Sequence, residues 1–150
     1  MSLITTLPDK LCTWFSGMSE FSDCSFCTQF PSGSKAIPLE KPVIVFGIDS
    51  FSVFDNTTDE TGSIITDSRT GQVKFSVGIH IPRNQGGIGC CSLLDRITDL
   101  ILFDTSLEIS NLQTENTEYV RNTDSLYLRA VFTTKETIHR GSKYPEPLKA

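Results

Sequence analysis

Two stretches of the chain place apolar residues three or four positions apart, which is typical of helices with one buried face. The first runs from Leu3 to Met18, where Pro8 fits an early turn and Gly17 ends the pattern. Its buried stripe is predicted to contain Ile4, Leu7, Leu11, Met18 and either Trp14 or Phe15. The second opens at the Gly-Gly-Ile-Gly run that begins with Gly86. Its apolar positions are Ile88, Cys91, Leu94, Ile97, Leu100 and Ile101.

Other segments have the composition of strands. Residues 73–81 alternate apolar side chains with Lys74, Ser76, Gly78 and His80, which predicts one face in the core and one that is wet or contacts a partner. Residues 42–48 form a β-branched apolar run between a proline and a glycine, as expected for a buried strand. Residues 51–54 predict a further short strand, and residues 55–62 have the composition of a turn.

The sequence of the C-terminal third also predicts strands. We expect one strand at 107–112 and a hairpin over 119–134 that turns at residues 122–125. Residues 19–41 show no periodicity and predict a long loop. The order of elements therefore predicts an α+β domain whose mainly antiparallel, possibly mixed, sheet is packed by an N-terminal and a central helix. We assign this domain to residues 1–136 and an extended tail to residues 137–150.

Composition narrows the possible functions. The 150 residues are 38% hydrophobic and 21% charged, which is typical of a folded domain rather than a disordered chain. The formal net charge is -5, so a protein that grips nucleic acid through a basic surface is disfavoured, although DNA can pass such a surface without sticking. No secretion signal or membrane-spanning stretch is apparent in the sequence. Five cysteines, an odd number, favour reduced thiols over a disulfide framework.

The candidate chemical motifs are incomplete. Cys24 and Cys27 have the spacing of half a zinc site or of a redox pair, but further ligands and a strand-to-helix context are missing, so we interpret them as small apolar residues in a loop. The glycines that begin at Gly86 complete no nucleotide-binding fingerprint. His80 and His139 lack a positioned nucleophile in the sequence pattern. We therefore expect no catalytic residues, no metal and no cofactor.

The succession of elements resembles the tail terminator, or tail-completion, proteins of tailed bacteriophages and related phage-tail-like particles. The resemblance rests on the helix at 3–18, the loop that leads into residues 38–45, the alternating strand at 73–81, the Gly-Gly-x-Gly-Cys run into the helix that contains residues 93–97, and the hairpin at 119–134. These features extend over most of the chain, to about residue 138.

The resemblance implies a structural virion protein that assembles in the bacterial cytoplasm and forms a homo-oligomeric ring, a hexamer. Such a ring caps the tail tube, stops its polymerisation and provides the surface that joins head, collar or sheath. Its partners would be the tube protein, a head, collar or sheath protein, and DNA at most as passing cargo, with no membrane. From predicted exposure alone, we expect the interface to include Lys74, His80, Arg83, Asn84, Arg129 and Arg140.

Two alternatives stay open on the sequence. One is another tail part, such as a head-to-tail connector or an initiator of tube or sheath assembly. The other is a small thiol-dependent enzyme that uses Cys24 or Cys90 as its nucleophile.

Overall fold

The helices lie where the apolar periodicity predicts them. A computed structural model of the chain describes residues 3–29, 40–58 and 60–139. Helix α1 covers Leu3–Ser16 and helix α2 covers Gly86–Asp104. In α1 the fully buried side chains are Leu7, Leu11 and Phe15, while Trp14 and Met18 are partly buried beside them. Phe15, rather than Trp14, therefore occupies the centre of the predicted stripe.

Six strands form one mixed, mostly antiparallel sheet. In chain order they are β1 (Ser25–Cys27), β2 (Val43–Thr58), β3 (Ile64–Pro82), β4 (Glu108–Thr114), β5 (Glu118–Val120) and β6 (Ser125–His139). Their spatial order is β1-β2-β3-β6-β4, and β5 pairs with β6 beyond the end of β4. Only the β1–β2 pair is parallel. The predicted α+β class, with a mainly antiparallel sheet and two packed helices, is confirmed.

Both helices pack on the same face of this sheet. One continuous core joins side chains of α1 and α2 to the inward residues of the strands, such as Phe46, Phe75 and Phe132. At its α1 end, Phe15 lies among the rings of Phe21, Phe26 and Phe46, with centroid distances of 5.4 to 5.6 Å. These aromatic contacts fix α1 over the edge of the sheet formed by β1 and β2.

The β2–β3 hairpin is much longer than the helix that packs on it. At about 3.3 Å per residue, the 19 residues of β3 span roughly 60 Å, whereas α2, also of 19 residues, spans about 28 Å. Among the β3 side chains that the structure describes, those of residues 69–82, the fully buried apolar positions begin at Val73. The part of the hairpin before this residue therefore extends past the helical layer as an arm, paired on one side by β6 as far as the His139–Ser68 pair.

Three sequence predictions are wrong in detail. The loop predicted at 19–41 contains a 3₁₀ turn at Ser19–Phe21 and strand β1. Of the turn predicted at 55–62, residues 55–58 are strand, because β2 continues through the predicted short strand to Thr58, while residues 60–62 lie in a turn. In α2 the buried cysteine is Cys90 and not Cys91, since the buried stripe follows Cys90, Leu94, Ile97 and Ile101.

The C-terminal boundary falls close to the end of the last strand. Strand β6 continues to His139, three residues beyond the boundary assigned at residue 136. Residues 140–150 of the predicted tail lie outside the described residues.

Candidate functional site

The face of the sheet opposite the helices carries three of the six predicted interface residues, Lys74, His80 and Arg129. We call it the bare face, because no helix packs on it within the part of the chain that the structure describes. It is formed by alternate residues of β2, β3 and β6 that point away from the core. Its central members are Gly47, Asp49, Lys74, Ser76, Gly78, His80, Tyr127 and Arg129.

Arg129 is the electrostatic centre of the bare face. Its guanidinium donates hydrogen bonds to Asp49 on β2 and, at 3.2 Å, to Glu115 just after β4. The Arg129 side chain is only 25% exposed, and the two carboxylates raise its pKa, so the guanidinium is charged at any ordinary pH. One side chain in the middle of the sheet therefore links β2 to the β4–β5 connection.

A β-bulge presents Asp49 to this guanidinium. The pairing of β2 with β3 skips one residue between Ile48 and Ser50, so Asp49 is the extra residue. A bulge of this kind redirects a side chain and is common beside functional positions. The sequence pattern predicted neither Asp49 nor Glu115 as a partner of Arg129, since the contacts join residues 80 and 14 positions apart.

His80 and Tyr127 form a second, less polar cluster. Their rings stack with centroids 4.4 Å apart, and the Tyr127 ring covers Gly78, where a Cβ atom would lie 3.0 Å from the ring. His80 is thereby half-buried, and burial lowers its pKa from 6.5 to about 4. The Tyr127 ring therefore shields part of His80 from solvent, and the assignment of His80 to an interface stays a prediction.

Arg83 and Asn84 lie at one end of the sheet, in a 3₁₀ turn between β3 and α2, and both are exposed. The Arg83 guanidinium forms an ion pair with Asp124 at 3.2 Å and lies 5.9 Å from the centre of the Tyr119 ring. The Tyr119 hydroxyl donates a 2.7 Å hydrogen bond to the same carboxylate. Because Tyr119 is itself 51% exposed, this end of the molecule presents an aromatic ring and a cation to solvent.

The structure therefore brings only some of the predicted interface residues together. His80 and Arg129 share the centre of the bare face, and the exposed Lys74 lies on the same face nearer the hairpin arm. Arg83 and Asn84 belong to the end of the sheet described above. Arg140 lies outside the described residues. Among the residues that sequence reasoning missed, Tyr127 had a usable signal, since a glycine inside a strand, here Gly78, often marks a close approach.

The cysteines have the environment of packed side chains. Burial raises the pKa of Cys24 and of Cys90 to about 11 each, and that of Cys12 to about 12. Thiols with such pKa values are almost fully protonated near neutral pH and are weak nucleophiles. Cys24 precedes the short strand β1 and Cys27 is its last residue, where the Cys27 thiol is 3.8 Å from the carbonyl oxygen of Ile44.

Among residues 3–29, 40–58 and 60–139, no three His, Cys, Asp or Glu side chains are grouped so that they could bind a metal ion. No described helix is long and apolar enough to cross a membrane.

When the chain is compared with known proteins, no protein-family model matches it and no curated protein is significantly similar to it.

Proposed function

We propose that this protein is a structural ring subunit of a phage tail or a phage-tail-like particle, and that the ring caps the tail tube and stops its growth. The observation that carries the proposal is the one-sided sheet. Both helices cover one face, while the bare face combines small, polar and half-buried residues. A subunit of this shape can join copies of itself with the helices outside and the bare face towards a central channel.

The charges on the bare face are compatible with the wall of a channel through which DNA passes. The positive charges of Arg129 and Lys74 are matched in number by the carboxylates of Asp49 and Glu115 on the same face, and Gly47, Ser76 and Gly78 add no charge. The whole chain carries a net charge of -5. Phosphate groups would therefore find no concentrated positive charge, so DNA could pass without being held.

A cap must also differ from the tube that it ends. A ring that binds the last tube ring through one of its ends, but presents a different surface at the other, stops polymerisation by offering no template for another ring. The two ends of the sheet differ in this way: the hairpin arm extends from one end, and Arg83, Tyr119 and Asp124 form the other.

Two experiments test the proposal, one on the purified protein and one on assembled particles. Native mass spectrometry of the purified chain is expected to give one closed oligomer, a hexamer, and electron microscopy a ring with a central hole. Particles made without the protein are expected to carry tails of variable or excessive length, and restoring the wild-type gene should restore one length. A monomer at micromolar concentration together with unchanged tails would overturn the proposal.

A further inference from the structure

The sheet has two long free edges on opposite sides. On the β2 side, β1 pairs only with Val43–Val45, so the edge from residue 46 to residue 58 has no neighbouring strand among the described residues. On the other side, β4 and β5 follow one another along β6 and form a second edge from residue 108 to residue 120. Each edge is 13 residues long by its numbering.

The two edges also run in opposite directions. β2 is antiparallel to β3, β3 to β6, and β6 to both β4 and β5. β2 is therefore antiparallel to the β4–β5 edge. If the second edge of one copy is placed beside the first edge of another copy in the same orientation, the new strand pair is antiparallel, which is the more stable ladder.

Neither edge carries the lysine or proline residues that commonly protect free strand edges, although the β2 edge contains β-bulges and both edges carry carboxylates. Residues 46–58 and residues 108–120 contain no lysine, arginine or proline. Within one chain, Arg129 forms ion pairs with a carboxylate near each edge, Asp49 and Glu115, which reduces repulsion between two acidic edges.

We propose that these edges pair with each other between neighbouring copies, so that residues 46–58 of one copy and residues 108–120 of the next form a continuous intermolecular sheet. The proposal rests on the ring function above and specifies how the ring closes. It is a head-to-tail contact between two different surfaces, and such a contact forms a ring when its rotation closes.

Strand β1 sets the displacement between copies. It occupies the β2 edge as far as Val45, so the lower end of the neighbour's edge, Val120, can lie no lower than Phe46. Through the register of β6 and β3, Val120 is level with residue 41 of its own chain. Because paired residues point to the same face of the sheet, the displacement must be an even number of residues, and the smallest allowed value is six, with Val120 beside Gly47. Over six copies of four strands, a displacement of six gives a strand tilt of about 45°, at the upper end of the range of closed barrels.

Phe51 supplies an apolar anchor for the same contact. It lies on the β2 edge in register with the buried Val73, on the helix-covered side of the sheet, yet its side chain is 51% exposed. In the proposed pairing, the register places Phe51 of one copy opposite the β4–β5 connection of the next, residues 115–117, so association covers its exposed ring. Aromatic anchors of this kind are typical of interface centres.

The test is cross-linking between cysteines placed on the two edges. Ser52 and Gln113 are exposed on β2 and β4, and the variant carries Ser52→Cys, Gln113→Cys and Cys91→Ser. A short bis-maleimide reagent is expected to join copies into a ladder that ends at the ring number. The matched control places the first cysteine on the helical layer, as Ser92→Cys with Gln113→Cys and Cys91→Ser, and is expected to give no ladder.

The outcomes separate this proposal from the proposed function. Closed oligomers by native mass spectrometry with no ladder, or with an equal ladder in the control, would overturn the edge pairing and leave the ring function standing. A ladder specific to the edge variant, in a protein whose removal leaves tail length unchanged, would support the pairing and overturn the tail function.

As a second measurement, Phe51→Ala is expected to weaken subunit association at least tenfold, and an unchanged dissociation constant would count against Phe51 as an anchor.

Discussion

The half-buried His80 makes the stability of the protein depend on pH in a defined way. Burial lowers its pKa from 6.5 to about 4, so the folded protein keeps the ring neutral at pH values where an unfolded chain has protonated it. Between these two pKa values the unfolded state binds more protons. The free energy of unfolding contributed by His80 is therefore fully present above pH 6.5 and is lost as the pH falls towards 4.

The size of the expected change in stability follows from the shift in the pKa of His80. A difference of about 2.5 pH units corresponds to about 3 kcal/mol of unfolding free energy. Between pH 7 and pH 4.5, roughly 2 kcal/mol of this is lost. A His80→Phe variant keeps a ring against Tyr127 but cannot titrate, so it lacks this part of the pH dependence.

The assay is urea unfolding of both proteins at a series of pH values from 7 to 4.5. Carboxyl groups also titrate in this range, and burial raises the pKa of Glu136, but these groups are common to both proteins. The stability of the variant relative to the wild type should therefore rise by roughly 2 kcal/mol as the pH is lowered. A difference that stays constant within about 0.5 kcal/mol, or a His80 titration by NMR with a pKa near 6.5 in the folded protein, would refute the reasoning.

Three further substitutions test the packing and the bare face, each measured by urea unfolding at pH 7. Phe15→Ala should lower the free energy of unfolding by about 3–5 kcal/mol because it empties the centre of the aromatic cluster, whereas Phe103→Ala at a side chain that is 76% exposed should change it by less than about 0.5 kcal/mol. Gly78→Ala should cost about 1 kcal/mol by displacing the Tyr127 ring, and a cost that persists in a Tyr127→Ala background would contradict this cause. Arg129→Met should cost about 1–2 kcal/mol, since it leaves two carboxylates without their partner, and an unchanged stability would show that the ion pairs are not stabilising.

The parts of the fold that the sequence predicts well are those with one buried face. In α1 and β3, the side chains of Leu11, Phe15, Phe75 and Val77 repeat at the period of the element, because only the inward positions must be apolar. Strand β1 was missed for the opposite reason. It has three residues, and its single core side chain, Phe26, pairs with Ile44 across 18 positions of sequence, so no local period marks it.

Local sequence patterns could not predict the hairpin arm either. Residues 55–58 have the composition of a turn, yet they continue strand β2, since strand pairing with β3 supplies their backbone hydrogen bonds whatever the side chains are. The ion pairs of Arg129 depend on a bulge and on two distant strands. Periodicity can therefore identify the bare face, but it cannot show which of its charges are already paired.

The position of β6 has a consequence for synthesis of the protein. This strand lies between β3 and β4 and is hydrogen-bonded to β3, β4 and β5, but it follows all the other described elements along the chain. At about 5–20 residues per second, the β2–β3 hairpin and α2 are made several seconds before β6, and apolar side chains such as Phe75 are incompletely covered during that time. The nascent chain is therefore prone to aggregation just before β6 is translated, and a deletion of Ser125–His139 should yield insoluble protein rather than a smaller folded domain.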